Sequence, residues 1–222
     1  MTEMVKHNIQ LILGGARSGK SALAEQYALS STLPVTYIAT AQALDAEMAQ
    51  RIAQHQAERP AHWRLIEAPL QLSATIESII FEASLNKSSG VCILVDCLTL
   101  WLSNSLCQSN SSPNSNNKAS QDSGNIDYWQ QEKQQFLRLL NSLQDLSIEG
   151  GNRQAFAIEI ILVSNEVGHG IVPMGQLSRQ FVDQAGWLHQ AIAKVADQVE
   201  FVMAGLPLTL KPSQNINQKA AL

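Results

Sequence analysis

The sequence predicts an α/β domain built on a mostly parallel sheet with helices on both faces. Short apolar runs alternate along the chain with longer amphipathic stretches. Strands that are apolar on both sides are typical of parallel sheets covered by helices on each face. The strand candidates are residues 9–13, 35–39, 91–95, 158–163 and 199–204, with weaker candidates at 64–67 and 208–211.

Helix-like stretches fill the intervals between these strands. Their apolar residues recur three or four positions apart, which is the period of an amphipathic helix. The helix candidates are residues 20–29, 45–58, 70–85, 128–143 and 177–196.

The composition argues against several classes of protein. The chain has 15 basic and 19 acidic residues, and its isoelectric point near 5.7 is far from the basic values typical of nucleic-acid modules. A hydrophobic content of 45% is enough for a core, so disorder is not expected. No apolar run reaches the ~18 residues of a membrane span. Three cysteines without CxxC spacing favour a reduced, cytoplasmic protein.

One polar segment breaks the alternation. Residues 108–127 contain six serines and five asparagines and almost nothing apolar. Such a segment cannot bury enough surface to offset its ordering entropy, so we expect a mobile surface insertion, with a lid over a site as the alternative. The tails 1–7 and 213–222 are expected to fray. The prediction is one nucleotide-binding domain spanning residues 1–222.

Residues 14–21 read GGARSGKS and fit the phosphate-loop pattern GxxxxGK[ST]. They follow an apolar strand candidate and open a helix candidate, which is the context that the motif requires. Backbone N–H groups and the helix N-terminus would cradle phosphate, Lys20 would reach the β- and γ-phosphates, and Ser21 would bind Mg²⁺. The sequence therefore predicts a P-loop NTPase-like fold with a triphosphate site made of Gly14, Gly15, Ala16, Arg17, Ser18, Gly19, Lys20 and Ser21.

Four further positions have polar side chains suited to such a site. Asp96 ends an apolar strand, where a carboxylate can hold Mg²⁺ through water; a turn or helix cap is the alternative. His55 stands one helical turn from Arg51 and from Arg59, which favours a neutral, nucleophilic imidazole beside phosphate-binding groups. Its alternative is a solvated surface histidine. Glu166 and His169 lie in a glycine-containing loop after residues 158–163, where phosphate, metal or a substrate amide would all fit.

Several motifs together resemble one known family. They are GGARSGKS at 14–21, YIATAQALDAEMAQRIAQHQAERPAHW at 37–63, LVDCLTLWLSN at 94–104, VSNEVGHGIVP at 163–173, DQAGWLHQAIAKVAD at 183–197 and VMAGLPLTLK at 202–211. The chain is similar to the bifunctional adenosylcobinamide kinase/adenosylcobinamide-phosphate guanylyltransferases of cobalamin synthesis. The resemblance covers most of the chain apart from the serine/asparagine insertion and the tails.

The resemblance implies two reactions. In the first, the γ-phosphate of ATP or GTP passes to the aminopropanol hydroxyl of adenosylcobinamide. In the second, GTP gives a covalent guanylyl-histidine at His55, and the cobinamide phosphate then displaces the histidine. It also implies a corrinoid substrate and a homo-oligomer, with a trimer as the form associated with the family. The nucleotide contacts implied by matching positions are Ala39, Thr40, Ala41, Gln56, Ala57, Glu58, Arg59, Glu67 and Asp96.

Two rival functions remain open from the residues alone. One is a single-activity P-loop kinase in which His55 is idle. The other is a GTP-dependent regulatory switch, which is disfavoured because the chain has no NKxD guanine-reading motif. The nearest sequence, NKAS at 117–120, lacks the aspartate and lies in the polar insertion.

Overall fold

A computed structural model describes residues 7–43, 46, 49–50, 53–54, 59–86, 88–110, 127–144 and 156–213. Its strands and helices alternate along the chain as predicted. The strands are β1 (His7–Gly14), β2 (Val35–Ala39), β3 (Arg64–Glu67), β4 (Gly90–Asp96), β5 (Ala157–Asn165), β6 (Gln198–Met203) and β7 (Leu206–Lys211). The helices are α1 (Lys20–Ser30), α2 (Leu72–Leu85), α3 (Leu98–Asn110), α4 (Tyr128–Gln144) and α5 (Gln176–Val195).

All seven strands form one sheet in the order β3-β2-β4-β5-β1-β6-β7. Every neighbouring pair is parallel except β6 and β7, so the prediction of a mostly parallel sheet is confirmed. The antiparallel pair is joined by Ala204 and Gly205, which both have positive φ angles. Two such residues make the tight turn whose twist matches that of a hairpin.

Helices cover both faces of the sheet and bury one apolar cluster on each. Alternate strand residues point to opposite faces, so Leu11 and Ile12 of β1 fall in different clusters. On one face α1 contributes Ala24 and Ala28, small residues that let this helix lie close to the strands. The other face is covered by the apolar sides of α2, α3, α4 and α5.

The predicted elements differ from the observed ones in two places, at helix α3 and at the start of the polar segment, and they agree within the helix candidate 45–58. Helix α3 was not predicted, although Leu98, Trp101, Leu102 and Leu106 have helical spacing and are all buried. Because α3 continues through Asn110, the first residues of the polar segment 108–127 are helical, and residues 111–126 lie outside the described part. Within the helix candidate 45–58, the described residues 46, 49–50 and 53–54 are helical.

The carboxyl ends of six parallel strands meet at one edge of the sheet. In register, Glu67 stands beside Ala39, and Ala39 beside Asp96, while Gly14 stands beside Asn165. Strand β5 separates β1, which carries the phosphate loop, from β4, which carries Asp96. Ligands of open α/β sheets bind outside this kind of edge. Among the helices that the structure describes, none is long and apolar enough to cross a membrane.

Candidate functional site

The phosphate loop connects β1 to α1 at this edge. Gly14 is the last residue of β1, and Lys20 and Ser21 begin α1. The loop is closed by a hydrogen bond from Ser18 N to Gly15 O (3.2 Å), and the β6–β7 turn supports it through Gly205 N, which donates to Ser18 O (2.8 Å). The loop is therefore held by backbone bonds from both sides, which leaves its concave face for a ligand.

Two side chains of this loop have the chemistry of a phosphate site. The Lys20 ammonium is buried over the loop and donates to Gly15 O at 3.1 Å. The Ser18 hydroxyl oxygen is buried and has no hydrogen-bond partner among the described residues. A buried hydroxyl without a partner is costly unless a ligand or water satisfies it. This arrangement supports the prediction that the loop binds a polyanion.

The side-chain oxygens of Ser21 and Asp96 are of the kind that binds a magnesium ion. Ser21 opens α1 with a partly exposed side chain, and Asp96 ends β4 half-buried. Hydroxyl, carboxylate and phosphate oxygens are the ligands that Mg²⁺ prefers in proteins. Both residues lie at the ligand-binding edge of the sheet.

Thr40 ties β2 to β4 at the site. Its hydroxyl donates to Cys97 O (2.7 Å) and accepts from Cys97 N (2.8 Å), while its backbone N–H donates to Asp96 O (3.2 Å). The side chain is fully buried and its hydroxyl is used within the protein. Thr40 therefore holds the backbone on either side of the Asp96–Cys97 peptide in place, and the neighbouring Ala39 is nearly buried as well.

Tyr37 brings two predicted site residues together. The Arg59 guanidinium carbon lies 3.5 Å from the centre of the Tyr37 ring, and Asp96 is the diagonal neighbour of Tyr37 across the β2–β4 pair. Burial, followed by the negative charge of Asp96, raises the pKa of Tyr37 well above its ordinary value, so the hydroxyl keeps its proton. The sequence did not identify Tyr37 as part of the site.

A second group missed by the sequence surrounds Glu166. His189 of α5 is buried, its Nε2 lies 2.7 Å from Ser164 Oγ, and its Nδ1 lies 3.4 Å from Glu166 Oε2. The other Glu166 oxygen accepts from Gly168 N at 2.6 Å, and Glu166 N donates to Gly14 O at 3.0 Å. Glu166 thus connects the end of β1 to the loop that follows β5.

His189 favours the neutral form in this setting. Burial lowers its pKa, and the nearby Glu166 carboxylate opposes that effect only in part. The signal for this residue was present in the sequence, because position 189 falls on the same helical stripe as the buried Ala185, Leu188 and Ile192. A histidine on the otherwise apolar, buried face of a helix indicates that its imidazole has a polar partner in the core.

The remaining predicted residues are divided between the described and undescribed parts of the chain. Glu67 ends β3 with an exposed side chain, two strands from Asp96, and Ala41 lies two residues after the end of β2. His169 is exposed beside Phe201. His55, Gln56, Ala57 and Glu58 lie outside the described residues.

A cavity of about 480 Å³ lies away from this site. It opens at the amino ends of β2, β3 and β4 and is lined by apolar residues such as Leu33, Trp63 and Ile79, with the ion pair of Arg64 and Glu82 at its wall. No residue of the phosphate loop lines it. The phosphate loop and Asp96 lie at the opposite, carboxyl edge of the strands.

Comparison with known proteins identifies close relatives. Residues 10–210 match the family model described as cobinamide kinase / cobinamide phosphate guanyltransferase. The bifunctional adenosylcobalamin biosynthesis protein CobP of Pseudomonas aeruginosa is 50% identical over 202 residues, which are 90% of this chain and 96% of that protein. CobU of Salmonella typhimurium, with the same description, is 36% identical over 203 residues, covering 90% and 98%.

Two solved structures with a similar fold are ATPases. An ATPase from the type III secretion system of pathogenic bacteria has a TM-score of 0.54 at 10% identity, over 98% of this chain and 63% of that chain. The ATPase EscN of enteropathogenic E. coli has a TM-score of 0.52 at 9% identity, over 89% and 43%. At such low identity the likeness concerns the fold alone, and it confirms the predicted P-loop NTPase-like architecture.

Proposed function

The chain belongs to the family of cobinamide kinases and cobinamide phosphate guanyltransferases, and we propose that both reactions take place at the carboxyl edge of its sheet. The observation that carries the proposal is the phosphate loop with Lys20 buried over it at the same edge as Asp96. The match over residues 10–210 supplies the identity of the two reactions. The nucleotide substrates proposed for this chain are GTP and ATP, and the proposed acceptors are adenosylcobinamide and adenosylcobinamide phosphate.

In the kinase step the aminopropanol hydroxyl of adenosylcobinamide attacks the γ-phosphorus of ATP or GTP. A new P–O bond forms, the bond to the β-phosphate oxygen breaks, and the nucleoside diphosphate leaves while the hydroxyl proton passes to solvent. Lys20 and the loop N–H groups stabilise the charge that builds up on the leaving group. The preorganised loop gives this stabilisation without a large rearrangement of its backbone.

In the guanylyl step His55 attacks the α-phosphorus of GTP and pyrophosphate leaves. The phosphate oxygen of the phosphorylated corrinoid then attacks the same phosphorus, and the imidazole leaves to give adenosylcobinamide-GDP. A covalent intermediate divides one displacement into two easier ones. Arg59 stands four residues after His55 in the chain and lies on Tyr37 beside Asp96, which supports a role near the phosphates.

Mg²⁺ is proposed as the metal of both steps. Ser21 and Asp96 would hold it, and it would supply positive charge beside the triphosphate. The nucleotide contacts proposed from the family pattern are the loop residues 14–21 together with Ala39, Thr40, Ala41, Gln56, Ala57, Glu58, Arg59, Glu67 and Asp96. We further propose a cytoplasmic location, a homo-oligomeric state and a mobile insertion within residues 108–127.

Labelled GTP tests the covalent step. The protein is incubated with GTP labelled at the α-phosphorus, denatured, and assayed for protein-bound label. We expect label that is labile in acid and stable in base, as a phosphorus–nitrogen bond is, and we expect it to disappear in His55→Ala. Labelling at the γ-phosphorus serves as the control, because that phosphorus leaves with pyrophosphate.

The same experiment separates the rival functions. His62→Ala is a matched control, since His62 is an exposed histidine of the same region, and its label should equal that of the parent protein. Phosphorylation of adenosylcobinamide without any protein-bound label would favour a single-activity kinase. GTP hydrolysis with neither label nor corrinoid phosphorylation would favour a switch.

A further inference from the structure

We propose that the side-chain amide of Asn165 binds the terminal phosphate of the nucleoside triphosphate. Asn165 is the last residue of β5, and the sequence patterns did not identify it as part of the site. The inference rests on the proposed function, because that function places a triphosphate in the loop of residues 14–21. It assigns a contact to the phosphate that the kinase step transfers.

The order of the strands places Asn165 between the phosphate loop and Asp96. β5 lies between β1 and β4, and Asn165 is in register with Gly14, the first residue of the loop. On the other side, Asp96 is in register with Val163, two residues before Asn165. A ligand that reaches from the loop towards Asp96 therefore passes the end of β5.

The pleat of β5 directs the Asn165 side chain to the face that α1 covers. Successive residues of a strand point to opposite faces. Ser164 points to the α5 face, where its hydroxyl oxygen lies 2.7 Å from His189 Nε2. Val163 and Asn165 therefore point to the other face, and Val163 belongs to the apolar cluster beneath α1. Since the loop turns into α1 at Lys20, the Asn165 carboxamide lies on the same side of the sheet as the phosphate loop.

Hydrogen bonds hold the backbone around Asn165. Its N–H donates to Thr99 Oγ1 of α3 (3.4 Å), and the N–H of Glu166 donates to Gly14 O (3.0 Å). The residue before Asn165 is tied to α5 through its hydroxyl. A group that is held in place before the ligand arrives loses little conformational entropy on binding, so more of its hydrogen-bond strength contributes to affinity.

The carboxamide of Asn165 is not satisfied within the described part of the protein. Its Oδ1 is buried and has no hydrogen-bond partner there. A buried polar atom without a partner costs free energy that a ligand can recover. The torsion that orients a carboxamide is soft, so the group can turn its N–H donors towards the site. Because Oδ1 makes no bond to the described residues, this turn breaks none at that atom.

A carboxamide suits the terminal phosphate because it adds donors without adding charge. Lys20 already supplies a cation at the loop. Hydrogen bonds to a charged oxygen are stronger than those between neutral groups. In the kinase step the γ-phosphate oxygens belong to the phosphorus that is transferred, so a donor held beside them stabilises the charge on the moving group. GDP lacks this phosphate and would leave Asn165 without its partner.

Two substitutions distinguish this contact from a structural role. Asn165→Ala removes the carboxamide. Asn165→Asp keeps the size and shape of the side chain but replaces the N–H donors with a negative charge, which repels phosphate. If Asn165 only filled space, aspartate would be the milder change. The matched control is Asn141→Ala, because Asn141 is an exposed asparagine of α4 whose Nδ2 donates to Leu137 O.

Nucleotide binding provides the first readout. Isothermal titration of the full chain compares guanosine 5′-(β,γ-imido)triphosphate with GDP, both with excess Mg²⁺. We expect Asn165→Ala to bind the triphosphate analogue about tenfold more weakly and GDP as the parent protein does, since a lost bond to a charged group costs about a factor of ten or more. Asn165→Asp should bind the analogue more weakly still, and Asn141→Ala should match the parent protein with both nucleotides.

Three results of this titration would refute the contact. They are an unchanged affinity of Asn165→Ala for the analogue, an equal loss of affinity for the analogue and for GDP, and a weaker effect of Asn165→Asp than of Asn165→Ala. Each of them would show that the side chain does not donate to the third phosphate.

Phosphorylation of adenosylcobinamide provides the second readout. With ATP labelled at the γ-phosphorus, we expect kcat of Asn165→Ala to fall by at least about tenfold, because the donor to the transferred group is gone. Asn141→Ala should keep the kcat of the parent protein. An unchanged kcat in Asn165→Ala would refute the contact in the reacting state.

A further variant keeps the proposal testable. If circular dichroism shows that Asn165→Ala does not fold, Asn165→Ser replaces it in both measurements, since serine also removes the carboxamide and remains polar. If the parent protein neither phosphorylates adenosylcobinamide nor takes up label from GTP, the proposed function fails. The comparison of the triphosphate analogue with GDP still decides the Asn165 contact in that event, because binding needs neither reaction.

Discussion

His189 shows how a buried polar residue supports the phosphate-loop edge. Its imidazole bonds to Ser164 at the end of β5 and lies beside Glu166, whose backbone bonds to the end of β1. Burial lowers the pKa of His189 from 6.5, so the folded protein favours the neutral ring. Protonation would place a charge between the two strand ends.

The pH dependence of stability tests this account. Below about pH 6.5 the unfolded chain binds a proton that folded His189 resists, so stability is complete above that pH and falls as the pH drops toward the lower folded pKa. We expect urea unfolding between pH 7.5 and 5 to show a smaller loss of stability in His189→Gln than in the parent protein. The exposed His169→Gln should behave as the parent protein does; equal slopes in all three proteins would contradict the prediction.

At the scale of single elements, the boundaries of the strands lie close to those of the apolar runs in the sequence. β2 and β3 begin and end where the sequence predicts. β1, β4, β5 and β7 extend the predicted runs by one or two residues at an end, and β6 begins and ends one residue earlier than predicted. Helix α3 is absent from the helix candidates of the sequence, although Leu98, Trp101 and Leu102 have helical spacing. Its Trp101 packs edge-on against Trp129 and Phe136 of α4, so the helix belongs to the core.

Substitutions at two glycines test how closely the strands and helices are packed. Gly90 begins β4 with a φ of 154°, and a Cβ there would lie 2.1 Å from Ala157 O on β5. Backbone cannot yield easily, so we expect Gly90→Ala to lower the free energy of unfolding by about 3 kcal/mol. Gly186 lies inside α5, and a methyl group added there would meet no other atom within 4 Å.

Gly186→Ala serves as the matched control for Gly90→Ala. Alanine is the better helix former, so this variant should gain up to about 1 kcal/mol. Guanidinium unfolding of both variants measures the difference. A Gly90→Ala protein as stable as the parent protein would show that β4 and β5 are not packed as closely as described.

At the scale of the whole molecule, the exposed apolar side chains bear on the oligomeric state. The loop after β5 exposes Ile171, Val172 and Met174 almost completely, and β7 exposes Leu206 and Leu208 at the sheet edge. Monomeric proteins rarely leave large apolar patches in contact with water. These surfaces are compatible with the homo-oligomer proposed above.

Light scattering coupled to gel filtration checks the oligomer. We expect a mass near three times the 24.2 kDa of the chain, and we expect it to persist on tenfold dilution. Multi-angle detection provides the mass independently of molecular shape, so elongation cannot imitate a trimer. A mass of one chain at all concentrations would contradict the prediction.

The sequence by itself determined the fold class and the place of the phosphate-loop motif between β1 and α1. Both follow from local patterns: apolar runs flanked by amphipathic stretches, and a glycine-rich motif between a strand and a helix. Those patterns depend on residues that are neighbours in the chain, so they can be recognised without coordinates. The family resemblance likewise depended on contiguous motifs.

Only the tertiary structure decided which distant residues complete the site. The sheet order places β5 between β1 and β4, which brings Ser164 and Glu166 beside the phosphate loop. It also places Tyr37 diagonally from Asp96 and beneath Arg59. These contacts depend on strand order and register, which are set by the packing of the whole sheet and leave no mark in the spacing of any one segment.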